Sequence, residues 1–165
     1  MIPATLETVP HLLAIDLGLR FAWSLYTLEG TLLNYSSHHC PNYASLKRFA
    51  YLMLKRLPQS SYLYIEGGGP LLKAWQKPAL KSLHECTQVH AQQWRIDVLR
   101  VSNIHDLSGH DAKKRAIEQA SKVIKYASGK GHHTLRHDSA EAILLGWWGL
   151  WQLGYVSDQR FQLNN

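Results

Sequence analysis

The chain has 165 residues, with 18 Lys and Arg against 12 Asp and Glu, a formal net charge of +6 and a pI near 9.4. An apolar fraction of 45% and a charged fraction of 18% exclude a disordered chain and favour a single domain. No apolar run approaches the ~20 residues of a membrane span, and the first residues lack the basic stretch of a secretory signal. Two distant cysteines, Cys40 and Cys86, argue against a disulfide scaffold and a structural zinc site. The expected compartment is reducing, hence cytoplasmic.

Residues 1–10 read as an N-terminal extension. Residues 11–17 (HLLAIDL) and 21–28 (FAWSLYTL) are apolar strands, and a tight turn at Glu29-Gly30 leads into a third over 31–36. Residues 43–57 repeat apolar side chains at helical spacing and stop at Pro58. Residues 61–65 (SYLYI) form a short buried strand that ends on Glu66 and three glycines. Pro78 suits the first turn of a helix continuing over 79–93. Residues 95–101 (RIDVLRV) read as a fifth strand, 103–110 as a loop, and 111–127 as a helix with Asp111 as N-cap. After a Gly- and His-containing linker over 128–136, a last helix over 137–153 is apolar nearly all round, which suits a buried position. The domain is expected to span 11–156, with 157–165 as a tail. The order β-β-β-α-β-α-β-α-α implies a mixed five-stranded α/β sheet flanked by helices.

The excess charge is local. Residues 113–136 hold seven basic residues (Lys113, Lys114, Arg115, Lys122, Lys125, Lys130 and Arg136) and one acid, while the remainder holds eleven of each sign. Such a segment suits a polyanion partner or a solvated helix face.

Four acids stand where acids are costly. Asp16 ends the first strand and Glu66 the fourth, while Asp138 and Glu141 share one face at the start of the last helix. Singly, each suits a turn, a surface ion pair or an N-terminal helical acid. Together they form an oxygen-rich set suited to Mg²⁺ or Mn²⁺. Two such ions about 3.5–4 Å apart can serve both the attacking and the leaving oxygen of a phosphodiester displacement.

The motifs AIDLG, YIEGG, GHDAKKRAIEQASKVI and HDSAEAILLGWWG, in that order, resemble RuvC-type Holliday junction resolvases of the RNase H-like fold. The resemblance extends over residues 11–152. It implies that Asp16, Glu66, Asp138 and Glu141 are catalytic acids holding two Mg²⁺ or Mn²⁺ ions, that Lys114 stands near the scissile phosphate, and that His137 or His133 assists. It also implies a homodimer, because two symmetric nicks need two sites. The first motif has Asp-Leu-Gly where the family usually has Asp-Pro-Gly. After Glu66, GGGPLLKAW replaces the aromatic residues that probe the junction centre, leaving Leu71, Leu72 or Trp75 as candidates for that role.

The expected function is a metal-dependent, structure-selective endonuclease that nicks four-way DNA junctions and leaves 5′-phosphate ends, nucleoid-associated if the source is bacterial. Lys113, Lys114, Arg115 and Lys122 are candidate phosphate contacts. Lys73, Lys77 and Lys81 recur every four residues and, with Trp75, form a second set. Rival readings are a YqgF-like nuclease acting on RNA or other branched DNA, a non-catalytic nucleic-acid-binding module, and an actin-like ATPase lobe. Adjacent His38, His39 and Cys40 also invite a zinc reading, although neighbours on an extended chain point apart.

Overall fold

The computed structural model describes residues 9–99, 109–128 and 134–157. Lys130, His133 and most of the expected loop over 103–110 lie outside the described residues. Five strands, β1 (His11–Asp16), β2 (Arg20–Thr27), β3 (Leu32–His39), β4 (Tyr62–Glu66) and β5 (Glu85–Val89), form one sheet in the order β3-β2-β1-β4-β5. The first three are an antiparallel meander, and β4 and β5 run parallel to β1. This is the mixed five-stranded sheet flanked by helices that the sequence implied. At the first hairpin, the Gly30 amide donates to the Thr27 carbonyl (3.1 Å) and the Thr27 amide to the Thr31 carbonyl (2.9 Å).

Side-chain alternation along the strands builds two cores. Leu12, Ala14, Tyr26 and Tyr64 face one side, where they pack against helices α3 (Ala91–Leu99), α4 (Gly109–Ser128) and α5 (His137–Gln152). Leu13, Ile15, Leu63 and Ile65 face the other, against α1 (Tyr43–Leu54) and α2 (Lys73–Lys81). Asn42 caps α1 by accepting from the Ser45 amide at 2.9 Å. No helix among the described residues is long and apolar enough to cross a membrane.

The chain between Glu66 and residue 99 departs from expectation. A 3-10 turn (Gly69–Leu72) leads into α2, which begins at Lys73 and accommodates Pro78 in its interior. The helix expected over 79–93 ends at Lys81, where Leu83 turns the chain with φ +58°. Residues 85–89 instead pair with β4 as an edge strand. Only Val89 of β5 is buried, so an edge position leaves little alternation to read. The strand expected over 95–101 is α3 as far as Leu99, with Trp94 and Val98 buried four residues apart. Its start carries half of a capping box, the Gln93 side chain accepting from the His90 amide at 2.7 Å.

Candidate active site

The two strand-ending acids are brought together by register and parity. Asp16 and Glu66 are paired across parallel β1 and β4. Both stand at even positions, on the face that Leu12, Ala14, Tyr62 and Tyr64 present to α5. The Leu17 amide donates to the Glu66 carbonyl at 3.0 Å, which extends the pairing one residue beyond Asp16. A Cβ on Gly18 would stand 2.2 Å from the Arg20 carbonyl oxygen, so the glycine of the Asp-Leu-Gly motif permits the turn behind Asp16.

Helix α5 supplies the other two acids, and the sheet holds that helix close. Ser24 Oγ donates to the Ala142 carbonyl at 2.7 Å and the Tyr26 hydroxyl to the Ile143 carbonyl at 2.8 Å. A Cβ on Gly146 would stand 2.5 Å from the Tyr26 ring, so only glycine lets α5 approach this far. These contacts set the first turns of α5, with His137, Asp138 and Glu141, over the carboxyl ends of β1 and β4. Arg136 binds Asp138 through two hydrogen bonds of 3.2 Å. His137 Nε2 is 3.4 Å from Glu141 Oε1.

A cation absent from the sequence-based site stands among the acids. Arg95, on α3, donates to Glu141 Oε1 at 2.6 Å and to Glu66 Oε1 at 3.2 Å. Its guanidinium lies 5.3 Å from the Trp94 ring centroid, and Trp94 Nε1 donates to Glu66 Oε2. Arg95 was overlooked because residues 95–101 read as a strand, which separates it from the acids. The Trp94–Val98 spacing and Gln93 were the available helical signals.

The electrostatics are dominated by crowding. Burial first, then the charges of Glu141 and Glu66, raise the Asp16 pKa from 3.8 to about 7, against the pull of Arg95. Burial also raises the Glu66 and Glu141 carboxyls and outweighs the opposing charge of Arg95. His137 is lowered by burial, then by Lys113 and Arg95. Lys113 also acts on Glu141, so its charge reaches the cluster from α4.

Four carboxylates are the hard oxygen donors that Mg²⁺ and Mn²⁺ prefer, and at Asp16 burial, then the charges of Glu141 and Glu66, outweigh Arg95. The donor chemistry therefore fits a divalent ion. The present side-chain arrangement is not a finished cage: among the described residues, no group of three or more His, Cys, Asp or Glu is placed to hold a metal ion. Arg95 already engages Glu66 and Glu141.

The other candidates divide. Lys113, Lys114, Arg115 and Lys122 are exposed on α4, whose buried side is formed by Ala116, Ala120, Val123 and Ile124. Trp75 is fully buried against Phe21 and Phe49 and Leu72 is buried beside it, so neither reaches nucleic acid, and Leu71 is half-buried against the same core. Lys73, Lys77 and Lys81 are exposed on one continuous helix. Trp147 and Trp148 belong to the core between sheet and helices. His38 stacks on Phe21 and Cys40 is buried, so the adjacent His-His-Cys residues do not converge.

No protein-family model matches the chain, and no curated protein matches it. Among solved structures, the chain is similar to a chain of the simian T-cell lymphotropic virus intasome in complex with PP2A regulatory subunit B56 gamma. The identity is 10%, the TM-score 0.35, and the match covers 86% of this chain and 50% of that one. It is also similar to the catalytic core domain of BIV integrase, with 10% identity, a TM-score of 0.34 and coverage of 86% and 97%. The chain thus spans half the length of the intasome chain it matches.

Proposed function

We propose that the chain is a divalent-metal-dependent endonuclease that nicks branched DNA, with four-way junctions as preferred substrate. One observation carries the reading: Asp16 of β1, Glu66 of β4 and the Asp138 and Glu141 pair of α5 come together at one end of the sheet, with Asp16 raised to about 7. Such a cluster gains from a cation and is ill suited to meet a phosphate alone.

Asp16, Glu66, Asp138 and Glu141 would hold Mg²⁺ or Mn²⁺, which when bound supplies acidified water and charge stabilisation for phosphodiester hydrolysis. The chain's own groups do the rest. Arg95, which bonds Glu66 and Glu141, would supply a guanidinium to a phosphate oxygen if those two acids held the metal instead. Lys113 brings positive charge from α4, and the exposed Lys114, Arg115 and Lys122 hold the backbone on either side. Products would carry 5′-phosphate and 3′-hydroxyl ends. Paired nicks would require a two-fold homodimer.

A second reading, a nucleic-acid-binding module without catalysis, draws on Arg95, which already bonds Glu66 and Glu141 with no metal. A cleavage panel of four-way junctions, forks, flaps, duplex and structured RNA with Mg²⁺ or Mn²⁺ separates the readings. Preferential junction cutting is expected. Preference for another substrate removes the resolvase assignment, and binding without cutting supports the second reading.

A further inference from the structure

The eleven cations outside residues 113–136 balance eleven acids in number, but five of those cations share one surface. Helices α1 and α2 lie side by side on the sheet face opposite Asp16 and Glu66, and an open groove of about 880 Å³ runs along them. Lys47 and Arg48 line it from α1, and Lys73, Lys77 and Lys81 from α2. No carboxylate lines it, and all five cations are exposed. Spacings of four residues align Lys73, Lys77 and Lys81 along α2, opposite the adjacent Lys47 and Arg48 of α1.

Two aromatic rings share the groove. Tyr43 and Tyr51 are 39% and 54% exposed, far above the buried tyrosine Tyr26, and Lys47 Nζ lies 5.9 Å from the Tyr43 ring centroid. Leu80, also in the lining, is 72% exposed. A row of cations with interleaved rings is the composition that receives a single nucleic-acid strand, its phosphates on the cations and its bases on the ring faces. A second copy of the chain seated by two-fold symmetry on this surface would set the same cations against each other, which disfavours that occupant.

We propose that the α1–α2 groove is a second nucleic-acid site, which binds a single strand on the side of the sheet remote from the acid cluster. This rests on the reading of the chain as a protein that processes nucleic acid. Branched substrates such as forks and flaps carry an unpaired arm, and that single strand is the natural occupant of a site on the sheet face that cannot reach the acids.

The test measures the affinity of the full chain for a fluorescent oligothymidylate across a salt series. Lys47→Glu/Lys77→Glu should weaken binding at least about tenfold and flatten the logarithmic salt slope by about 1.4, two phosphate contacts at about 0.7 each. Tyr43→Ala/Tyr51→Ala should weaken binding by about fivefold or more while leaving the salt slope unchanged. Unchanged melting temperatures identify these as surface effects. Affinity within about twofold of the parent chain in both variants overturns the proposal, and metal-dependent cutting that persists beside that result leaves the nuclease reading standing. A parent dimer that dissociates in the charge-reversed variant, with strand affinity unchanged, assigns the groove to a second copy and also overturns it. A parent chain that neither binds nor cuts nucleic acid removes both readings.

Discussion

The two layers that cover the sheet carry opposite electrostatic designs. On the α3–α5 side, four acids crowd the carboxyl ends of β1 and β4, and the resident cation Arg95 bonds only two of them. On the α1–α2 side, five exposed cations line an open groove without a carboxylate. Burial raises the carboxyls of Asp16, Glu66 and Glu141, whereas the groove cations are exposed to water. Charge counted along the chain hides this contrast, because a remainder of zero net charge still places five cations in one groove and the acid cluster on the other side of the sheet. A site that must bind metal needs charge held out of water, where it is under-compensated. A surface that holds phosphates needs charge left in water, where counterions can be exchanged.

The largest expected effect is on the acid side. Glu66→Gln or Glu141→Gln should lower junction cleavage by about a thousandfold or more, with junction affinity within about threefold of the parent chain, as read in single-turnover and anisotropy assays. Comparable losses of both would mean that the acids act in binding alone.

Arg95→Met tests whether the resident cation takes the place of a metal. It leaves Glu66 and Glu141 without their partner, so the metal-free chain should lose about 1–3 kcal/mol, or roughly 2–12 °C in Tm. Mn²⁺ should restore most of that loss, and Mn²⁺ affinity by electron paramagnetic resonance should rise about tenfold. A variant equally destabilised with and without Mn²⁺ would make Arg95 a structural bridge only.

Proton affinity offers a smaller effect with a definite sign. Asp16 holds its proton up to about pH 7 in the folded chain but only to about 3.8 ordinarily. The folded state therefore binds the extra proton, and its stabilising effect is complete below the ordinary value and lost as pH rises through 7. Without metal, Tm should fall between pH 5 and pH 8. Asp16→Asn should flatten that fall and gain about 1–2 kcal/mol at pH 8, roughly 2–8 °C. A parallel profile for the variant would place the titration elsewhere.

The smallest effect separates two adjacent lysines. Lys113→Ala should slow cleavage by about three- to tenfold, and Lys114→Ala by less, because the charge of Lys113 is the one that acts on Glu141 and His137. The reverse order would restore Lys114 to the position the resemblance implied.

How much of this was legible in the sequence depended on how locally each signal was written. Asp16 and Glu66 were legible as acids that end apolar strands, and the apolar character of α5 marked it as a buried helix with Asp138 and Glu141 on one face. The stretch from Lys73 to Leu99 was misread where tertiary context overrides composition. β5 is an exposed edge with one buried residue, and in α3 the alternation of Ile96 and Val98 with charged Arg95 and Asp97 mimics a strand. That single error hid Arg95, since its role exists only when α3 turns it toward β4 and α5. Trp75 was misjudged for a related reason: an aromatic residue among lysines suggests a stacking platform, but α2 turns it into the core while the lysines face outward. The groove was invisible because α1 and α2 contribute halves that mean little apart.

The most direct measurement is single-turnover cleavage of a labelled four-way junction in Mn²⁺ by the parent chain and by Asp16→Asn, with binding followed in parallel. The proposed site predicts symmetric nicks with 5′-phosphate ends from the parent chain, none from Asp16→Asn, and equal junction affinity for both. Equal cutting by the two chains, or cutting by the parent that persists in excess chelator, would contradict it.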